Sequence, residues 1–390
     1  MLSFLHISQG HTLRIQWPLH KLDNDAKLLR IVMHIDFDYF FAQVEERENP
    51  TIRDKPVVVC VYSGRSEDSG VVSTANYIAR KYGVKSGIPI SLAKKKLRDV
   101  ESVFLPVNHT LYEVVSEKIM KILRSCTDRF EQIGVDEAFL EVTEQVDGSF
   151  ERARELAEKI KKEIFDKEKI TCSIGIGPNK LIAKIAAGRQ KPNGLTLVRP
   201  EEVDQFLSPL PVRKLVGVGA KTEKALHKLG IKTIGELAKQ NLDKLTSVFG
   251  MTFGVYLHTA SLGRDKSPVQ QRGRAESISR ITTLKENTRD ITEIIKQIDK
   301  LAEDVHSKSM QQGLSFKSVS VMVVMEDLKM RGRSKTFQNP TKNLDIIKNT
   351  ARALLQQLLR DETEGSARRV GIKIFNLAYD KEQKQLNDFG

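Results

Sequence analysis

Two strand-like segments carry acidic residues at their ends, and they limit the folds that this chain can adopt. The first, Ile31–Ile35, is an apolar run typical of a buried strand, and Asp36 follows it directly. The second is a predicted hairpin, in which residues 130–135 and 138–142 flank Asp136-Glu137. Carboxylates clustered at strand ends repel one another, so such a cluster either binds a divalent metal or holds shifted protons.

The segments around these acids alternate between helix and strand patterns, which predicts an α+β core. Helices are predicted from Ala42 and over 74–82, 112–126, 150–167 and 181–189, and further strands over 56–61 and 170–176. After Pro192-Asn193-Gly194, short helical segments separated by glycines predict a small helical domain. Residues 263–276 are charged, contain Pro268 and are typical of a linker.

The last third of the chain follows the order βαββαβ, which makes a four-stranded sheet with two helices on one face. In its final strand Val370, Ile372 and Ile374 alternate with Gly371 and Lys373, so one face is expected to be packed and the other exposed to water. The predicted elements are a strand from 277, a helix over 290–310, strands over 315–325 and 331–337, a helix over 344–359 and a strand over 369–377.

Length and charge bound the class of protein. The 390 residues predict a multidomain chain, and the net charge of +13 favours a polyanionic partner such as nucleic acid. Cys60, Cys126 and Cys172 lack metal-ligand spacing and are expected to be buried thiols in a reducing compartment. No apolar run approaches the length of a membrane span. We therefore expect no membrane as a partner, and we expect a cytoplasmic location. Residues 1–30 lack a clear period and are interpreted as an N-terminal extension.

The acidic residues favour magnesium over zinc, because no cysteine or histidine stands beside Asp136-Glu137. Adjacent residues in a regular strand point to opposite faces, so placing both carboxylates on one metal requires a turn or bulge, which Gly134 could permit. An alternative remains for each position. An isolated Asp-Glu pair is most often a solvent-facing turn, and Asp36 could simply be a turn residue.

Five motifs are spaced along the chain: Asp36-Phe37-Asp38-Tyr39-Phe40-Phe41-Ala42-Gln43-Val44-Glu45, Val59-Cys60-Val61-Tyr62-Ser63-Gly64-Arg65, Thr74-Ala75-Asn76-Tyr77-Ile78-Ala79-Arg80-Lys81, Gly134-Val135-Asp136-Glu137-Ala138-Phe139-Leu140 and Ala183-Lys184-Ile185-Ala186-Ala187. Together they resemble the Y-family of DNA polymerases, of the DinB or polymerase IV type that copies damaged templates. The resemblance covers nearly the whole chain from Ile31. The overall character of the sequence, with a tail at residues 383–390 that resembles a clamp-binding peptide, favours an archaeal origin.

The resemblance implies a right-hand architecture and a monomeric, template-dependent DNA polymerase that performs translesion synthesis distributively and with low fidelity. Asp36, Asp136 and Glu137 would hold two magnesium ions, with the backbone carbonyl of Phe37 as a further ligand. The implied domains are a palm of residues 31–39 and 107–191, fingers 40–106, a thumb 192–262, the linker 263–276, a little finger 277–380 and a tail 381–390.

The resemblance also implies contacts with the deoxynucleoside triphosphate. Phe41 would be the steric gate that excludes a ribose 2′-hydroxyl, and the other implied contacts are Tyr39, Phe40, Thr74, Tyr77, Arg80 and Lys184. Hydroxyl, guanidinium and ammonium groups suit phosphate oxygens. The alternatives are that Phe41 is a core residue and that the cations only solvate helix faces.

Contacts with primer-template DNA are expected in the last two domains. Residues 215–226 resemble a helix-hairpin-helix, in which Gly217, Gly219 and Lys221 would meet a phosphate. In the little finger Arg280, Arg331, Arg333 and Lys335 could meet the duplex backbone, with solvated surface as the alternative. In the tail Gln383, Leu386 and Phe389 resemble a sliding-clamp peptide, although Gly390 replaces its second aromatic and a disordered tail is the alternative.

Two other classes of function compete with a polymerase. A non-catalytic DNA-binding scaffold would not need Asp36, Asp136 and Glu137 together. A two-metal nuclease or cyclase shares the acidic site, but the helical and βαββαβ domains argue against a cyclase.

Overall fold

A five-stranded sheet lies at the centre of the first half of the chain. The computed structural model describes residues 29–271, 273, 275–362 and 364–379. The sheet has the order β5-β6-β1-β7-β8, and its middle strand β1 pairs antiparallel with both neighbours. Its elements are β1 (Val32–Phe37), α4 (His109–Arg124), β5 (Phe130–Gln132), β6 (Glu137–Glu141), α5 (Phe150–Glu168), β7 (Cys172–Gly177), α6 (Lys180–Ala187) and β8 (Leu195–Leu197).

A smaller sheet of order β3-β2-β4 is inserted between β1 and α4, with its own apolar core. Its strand β3 extends to Ala75, so the prediction that a helix starts at Thr74 was wrong, because β3 pairs with β2 up to that residue. The elements here are α1 (Phe40–Glu48), β2 (Val57–Tyr62), β3 (Gly70–Ala75), α2 (Tyr77–Lys81), α3 (Ile90–Lys96) and β4 (Val103–Pro106).

Five short helices follow, and their core includes apolar residues of α6, so this helical unit packs directly on the helix that borders the central sheet. The segment that comes next is not a free linker. The backbone N–H of Leu181 donates to Asp265 at 3.1 Å, Asn179 Nδ2 donates to the carbonyl of Gly263 at 2.8 Å, and Val269 is buried. The helices are α7 (Val203–Leu207), α8 (Ala220–Lys228), α9 (Ile234–Ala238), α10 (Leu242–Phe249) and α11 (Met251–Ser261).

The last domain has the predicted βαββαβ order, which confirms the little-finger fold. Its sheet has the order β11-β10-β12-β9, and α12 and α13 share its apolar core. Val370, Ile372 and Ile374 are fully buried, as the alternation predicted. The elements are β9 (Ser277–Thr288), α12 (Ile291–Gln311), β10 (Leu314–Met325), β11 (Met330–Thr341), α13 (Leu344–Asp361) and β12 (Ala367–Tyr379).

The three cysteines are free thiols. Cys60 and Cys172 are buried as expected, whereas Cys126 is only half-buried. Burial raises the pKa of the Cys60 thiol to about 11 and that of Cys172 to about 12. In the part of the chain that the structure describes, no helix is both long and apolar enough to cross a bilayer.

Candidate active site

The register of β1 and β6 brings the acidic residues together. Asp36 lies directly opposite Glu137 in this antiparallel pair, and the backbone N–H of Phe37 donates to the carbonyl of Asp136 at 2.8 Å. Asp136 lies in the turn between β5 and β6. The turn that the sequence required next to Gly134 is therefore present, but the two carboxylates face different surroundings: Asp136 lines a cavity with Asp36, whereas Glu137 contacts His34 and Lys184.

Asp36 and Asp136 line one cavity of about 290 Å³. Burial, followed by the negative charges of Asp36 and Glu137, raises the pKa of Asp136 above its ordinary value. Phe37, Tyr39, Phe40, Phe41, Thr74 and Arg80 line the same cavity. The structure thus places most of the predicted nucleotide contacts around the two aspartates.

Glu137 faces a second group of side chains. His34, which is 1% exposed, lies 3.0 Å through Nε2 from Glu137 Oε2, and Lys184 forms an ion pair with the same carboxylate. The hydrogen bond with His34, and after it the one from Lys184, lowers the pKa of Glu137 to about 2. Lys184 therefore contacts an acidic residue here and does not line the cavity of the two aspartates, where a triphosphate contact was expected.

Within the described part of the chain, one group of side chains offers ligand atoms close enough to share a metal ion. Ligand atoms of His34, Asp36 and Glu137 all lie within 4.8 Å of one another. Asp136 is not in that group, but it shares the cavity with Asp36. Asp36 is thus common to both arrangements. Asp36 and Asp136 offer only oxygen ligands, which suit a hard divalent cation, whereas the group with Glu137 also contains the His34 nitrogen. A histidine therefore does lie beside the acidic pair in space, although none does in sequence.

Sequence reasoning missed Lys191, which forms an ion pair with Asp36. The loop that carries this lysine is held by Asp38, a fully buried carboxylate that accepts hydrogen bonds from Ser173 Oγ at 2.7 Å and from the backbone N–H of Asn193 at 2.7 Å. A lysine before a Pro-Asn-Gly turn is an ordinary surface pattern, so only the tertiary fold reveals its position.

Tyr77 lies behind the cavity of the two aspartates. It lines a separate cavity of about 380 Å³ together with Tyr39, and the two rings meet edge to face at 5.3 Å. The guanidinium of Arg80 lies over the Tyr77 ring at 4.8 Å, which joins the two predicted phosphate contacts on α2.

Phe41, the predicted steric gate, is half-buried and faces the cavity. Its ring stacks on that of Tyr112 with centroids 4.2 Å apart. Tyr112 is 1% exposed, and its hydroxyl donates to Glu45 at 2.5 Å. Phe41 therefore packs against the core and also lines the cavity, so the gate and core interpretations both remain compatible with its position.

The predicted helix-hairpin-helix residues lie in a tight turn before α8. Gly217 has a φ of 81°, which favours glycine, and Gly219 precedes the first turn of the helix, where Lys221 is exposed. Tyr256 supports this turn, because its hydroxyl donates to the carbonyl of Val216 at 2.7 Å.

The predicted DNA contacts of the little finger lie on its two edge strands. Lys335, Arg333 and Arg331 are opposite Val319, Val321 and Val323, so they share the sheet face that the helices cover. Arg331 pairs with Glu362 at 2.7 Å, and Arg333 pairs with Asp361.

Arg280, opposite the buried Ile372, lies on the same face of the other edge strand. The predicted clamp residues Gln383, Leu386 and Phe389 lie outside the described residues.

A carboxylate site at the end of β1, a helical unit and a βαββαβ domain together define a multidomain α+β nucleotidyl-transfer protein. Residues 35–188 match the impB/mucB/samB family, residues 275–387 match its C-terminal domain, and residues 200–231 match its helix-hairpin-helix motif. The chain belongs to this family, the Y-family of DNA polymerases, and it is a DNA-directed DNA polymerase.

Relatives and solved structures agree with this assignment. The chain is 46% identical over 365 residues to DNA polymerase IV 1 of Methanosarcina mazei, covering 92% of this chain and 99% of that protein. DNA polymerase IV of Saccharolobus solfataricus is 39% identical, with the same coverage.

A Y-family DNA polymerase chimera superposes with a TM-score of 0.84 at 39% identity, covering 90% of this chain and all of that one. An insertion ternary complex of Dbh DNA polymerase gives a TM-score of 0.65 at 38% identity, with the same coverage.

Proposed function

We propose that this chain is a translesion DNA polymerase that extends a primer 3′ end by two-metal nucleotidyl transfer at Asp36, Asp136 and Glu137. The observation that carries the proposal is the β1–β6 register, which sets Asp36 opposite Glu137 and ties Phe37 to the carbonyl of Asp136. Asp36 and Asp136 line a cavity bordered by aromatic and basic side chains, and Glu137 lies opposite Asp36 on the neighbouring strand.

The donor set fits magnesium. Asp36 and Asp136 carry mutually repelling charge that burial intensifies, and such a pair is stabilised by a divalent cation. When bound, two magnesium ions would supply charge neutralisation for the attacking hydroxyl and the pyrophosphate leaving group. The backbone carbonyl of Phe37 is a proposed further metal ligand. Without metal, Lys191 balances the charge of Asp36 and Lys184 balances that of Glu137.

The remaining residues of the cavity would bind and select the nucleotide. Arg80 and Thr74 offer a guanidinium and a hydroxyl to the triphosphate, and Phe41 closes the side of the cavity where a ribose 2′-hydroxyl would lie. Lys184, which pairs with Glu137, would offer its ammonium group to the triphosphate.

Primer extension tests the acidic site directly. Wild type is expected to extend a primer with magnesium and deoxynucleotides, and Asp136→Asn is expected to lose about 10³-fold or more in rate, because a charge partner of the transition state is removed. Asp128→Asn, an exposed residue in the turn before β5, makes the same carboxylate-to-amide change outside the site and should leave the rate unchanged. Full activity of Asp136→Asn would overturn the proposal.

Distributive synthesis with low fidelity belongs to the same proposal. A template with one abasic site, copied in the presence of an excess of competitor DNA, measures lesion bypass and the number of nucleotides added per binding event. Insertion opposite the lesion and the addition of only a few nucleotides per binding event are expected. A block at the lesion would contradict the translesion role.

A sliding clamp is the proposed accessory partner, through Gln383, Leu386 and Phe389. Deleting residues 383–390 should remove clamp-stimulated synthesis and leave clamp-free primer extension unchanged, because the deletion removes none of the residues proposed for the acidic site. Stimulation that survives the deletion would remove the clamp from the proposal.

A further inference from the structure

Glu46 is a buried carboxylate on α1 that belongs to neither the acidic site nor its ion pairs. It is 4% exposed, and its two oxygens accept hydrogen bonds from different elements: Oε1 from Asn76 Nδ2 at 2.8 Å and Oε2 from the Tyr39 hydroxyl at 3.2 Å. Burial raises the pKa of Glu46, because the ionised carboxylate loses hydration at this position. A leucine would fill this space with less desolvation, so packing alone does not explain a glutamate.

The first partner, Tyr39, holds the backbone that follows the acidic strand. It lies in the left-handed region, with φ 36° and ψ 43°, which is unfavourable for a residue with a side chain. The ring lines the cavity of Asp36 and Asp136 on one side and contacts the Tyr77 ring on the other. The hydrogen bond to Glu46 ties the far end of this ring to α1.

The second partner, Asn76, fixes the start of α2. Its Oδ1 accepts from the backbone N–H of Ala79 at 2.9 Å, which caps the helix, and from Val57 N–H at 3.1 Å. Its Nδ2 donates to Glu46 and to the carbonyl of Lys55 at 2.8 Å. All four hydrogen-bonding positions of this amide are used, so its orientation is determined.

We propose that Glu46 is a positioning residue for the nucleotide triphosphate, which sets α2, with Tyr77 and Arg80, at a fixed distance from the Tyr39 turn. The inference rests on the proposed function, because that function makes Tyr77 and Arg80 triphosphate contacts. Glu46 contacts no substrate itself; it joins the two elements that border the nucleotide. The triphosphate groups would lie between them.

Steady-state kinetics with Glu46→Leu test this role. The KM for deoxynucleotide should rise about tenfold or more while kcat changes less than about threefold, because the reduced order affects substrate binding most. The affinity for primer-template DNA and the melting temperature monitor folding. Glu46→Gln should be close to wild type, because its amide oxygen can accept from Asn76 and its NH₂ can donate to the Tyr39 oxygen. Glu48→Gln, an exposed position on the same helix, is the matched control.

Double variants show whether Glu46 acts through α2. Combined with Arg80→Ala, Glu46→Leu should raise KM by less than the product of the two single effects, because both disturb one unit. Combined with Phe41→Ala, the effects on KM should multiply. If Glu46→Leu does not fold, Tyr39→Phe is the milder variant, because it removes only one of the two hydrogen bonds of Glu46. It should raise KM by less.

The outcomes separate this inference from the proposed function. An unchanged KM in both Glu46→Leu and Tyr39→Phe, with a raised KM in Arg80→Ala, overturns the positioning role alone. An unchanged KM in Arg80→Ala overturns the assignment of the triphosphate contacts. A loss of DNA affinity and melting temperature that parallels the rise in KM would make Glu46 a structural residue and overturn the inference.

Discussion

Phe41 lies between the cavity of the two aspartates and the buried ring of Tyr112, on which it stacks. Phe41→Ala should open space at the sugar and raise the relative efficiency of ribonucleotide incorporation by roughly 10- to 200-fold, the range that a changed pocket contact provides. The measurement is kcat/KM for matched ribo- and deoxynucleotides. Phe206→Ala, a half-buried aromatic of the helical unit, serves as control. Unchanged sugar discrimination would exclude the gate role.

Lys191 occupies the position of a counter-ion to Asp36, where the proposed magnesium would compete with it. Lys191→Met should lower the stability of the metal-free protein by about 1–3 kcal/mol, because the partly buried carboxylate loses its partner. The same variant should gain more stability than wild type when magnesium is added, since no ammonium group has to be displaced. Thermal unfolding with EDTA and with a magnesium series measures both effects. Equal magnesium responses would contradict competition at this site.

Sequence patterns predicted residues that the structure brings to one cavity and missed side chains that hold those residues in place. Asp36, Asp136 and Phe41 belong to short local motifs, and the structure brings them to one cavity. His34 and Glu46 were not predicted as site residues, because their roles depend on strand register and on side chains far away in sequence. A histidine inside an apolar strand was the one signal that could have been noticed, since a buried imidazole requires a polar partner.

At the scale of elements, α6 lies so close to β7 that no side chain fits between them. A Cβ on Gly175 would meet the carbonyl oxygen of Ala183 at 2.0 Å and the backbone nitrogen of Ala187 at 2.2 Å. Gly175→Ala should destabilise the protein by about 1–3 kcal/mol or more and displace the helix that carries Lys184. Gly188→Ala at the end of the same helix is the control, because its nearest contact is 3.5 Å away. Chemical denaturation that shows equal stability would contradict this close packing.

Element type followed from periodicity wherever one face of the element is buried. The βαββαβ domain was predicted correctly because its strands alternate and its helices have clear apolar faces. The start of α2 was predicted wrongly, because Gly70–Ala75 joins a sheet by pairing with β2. Local sequence does not encode such a pairing. Residues 263–276 were predicted to be a linker, and the packing of their first part was missed, since single contacts such as that of Asp265 with the start of α6 have no period.

At the scale of the whole molecule, the little finger contacts the fingers directly. Arg65 Nε donates to the carbonyl of Leu284 at 2.7 Å, and its Nη2 donates to Asn287 Oδ1 at 2.7 Å. These contacts join residues far apart in sequence. Among the residues that the structure describes, α12 and α13 cover one face of the little-finger sheet and leave the other, the uncovered face, without a helix. Arg369 and Lys373 alternate with buried residues of β12, so they lie on that uncovered face, opposite to the face that carries Arg331 and Arg333.

Arg369 and Lys373 on the uncovered face are cations that we expect to contact a phosphate backbone. They lie on the opposite side of the sheet from Asp361 and Glu362, the carboxylates that pair with Arg333 and Arg331. Arg369→Ala/Lys373→Ala should weaken binding of primer-template DNA and make the slope of log affinity against log salt shallower by about 0.9 for each phosphate that the variant no longer neutralises. Arg331→Ala/Arg333→Ala should change the slope less, because those guanidinium groups already pair with Glu362 and Asp361.

Lys300→Ala/Lys308→Ala removes the same charge from the outer side of α12, where both lysines are exposed. This control isolates position from net charge, because a purely long-range effect of charge would weaken binding equally in all three double variants. Fluorescence anisotropy over a salt series measures the slopes. A change confined to Arg331→Ala/Arg333→Ala would assign the duplex to the edge strand β11, since only contact with phosphate releases counter-ions locally.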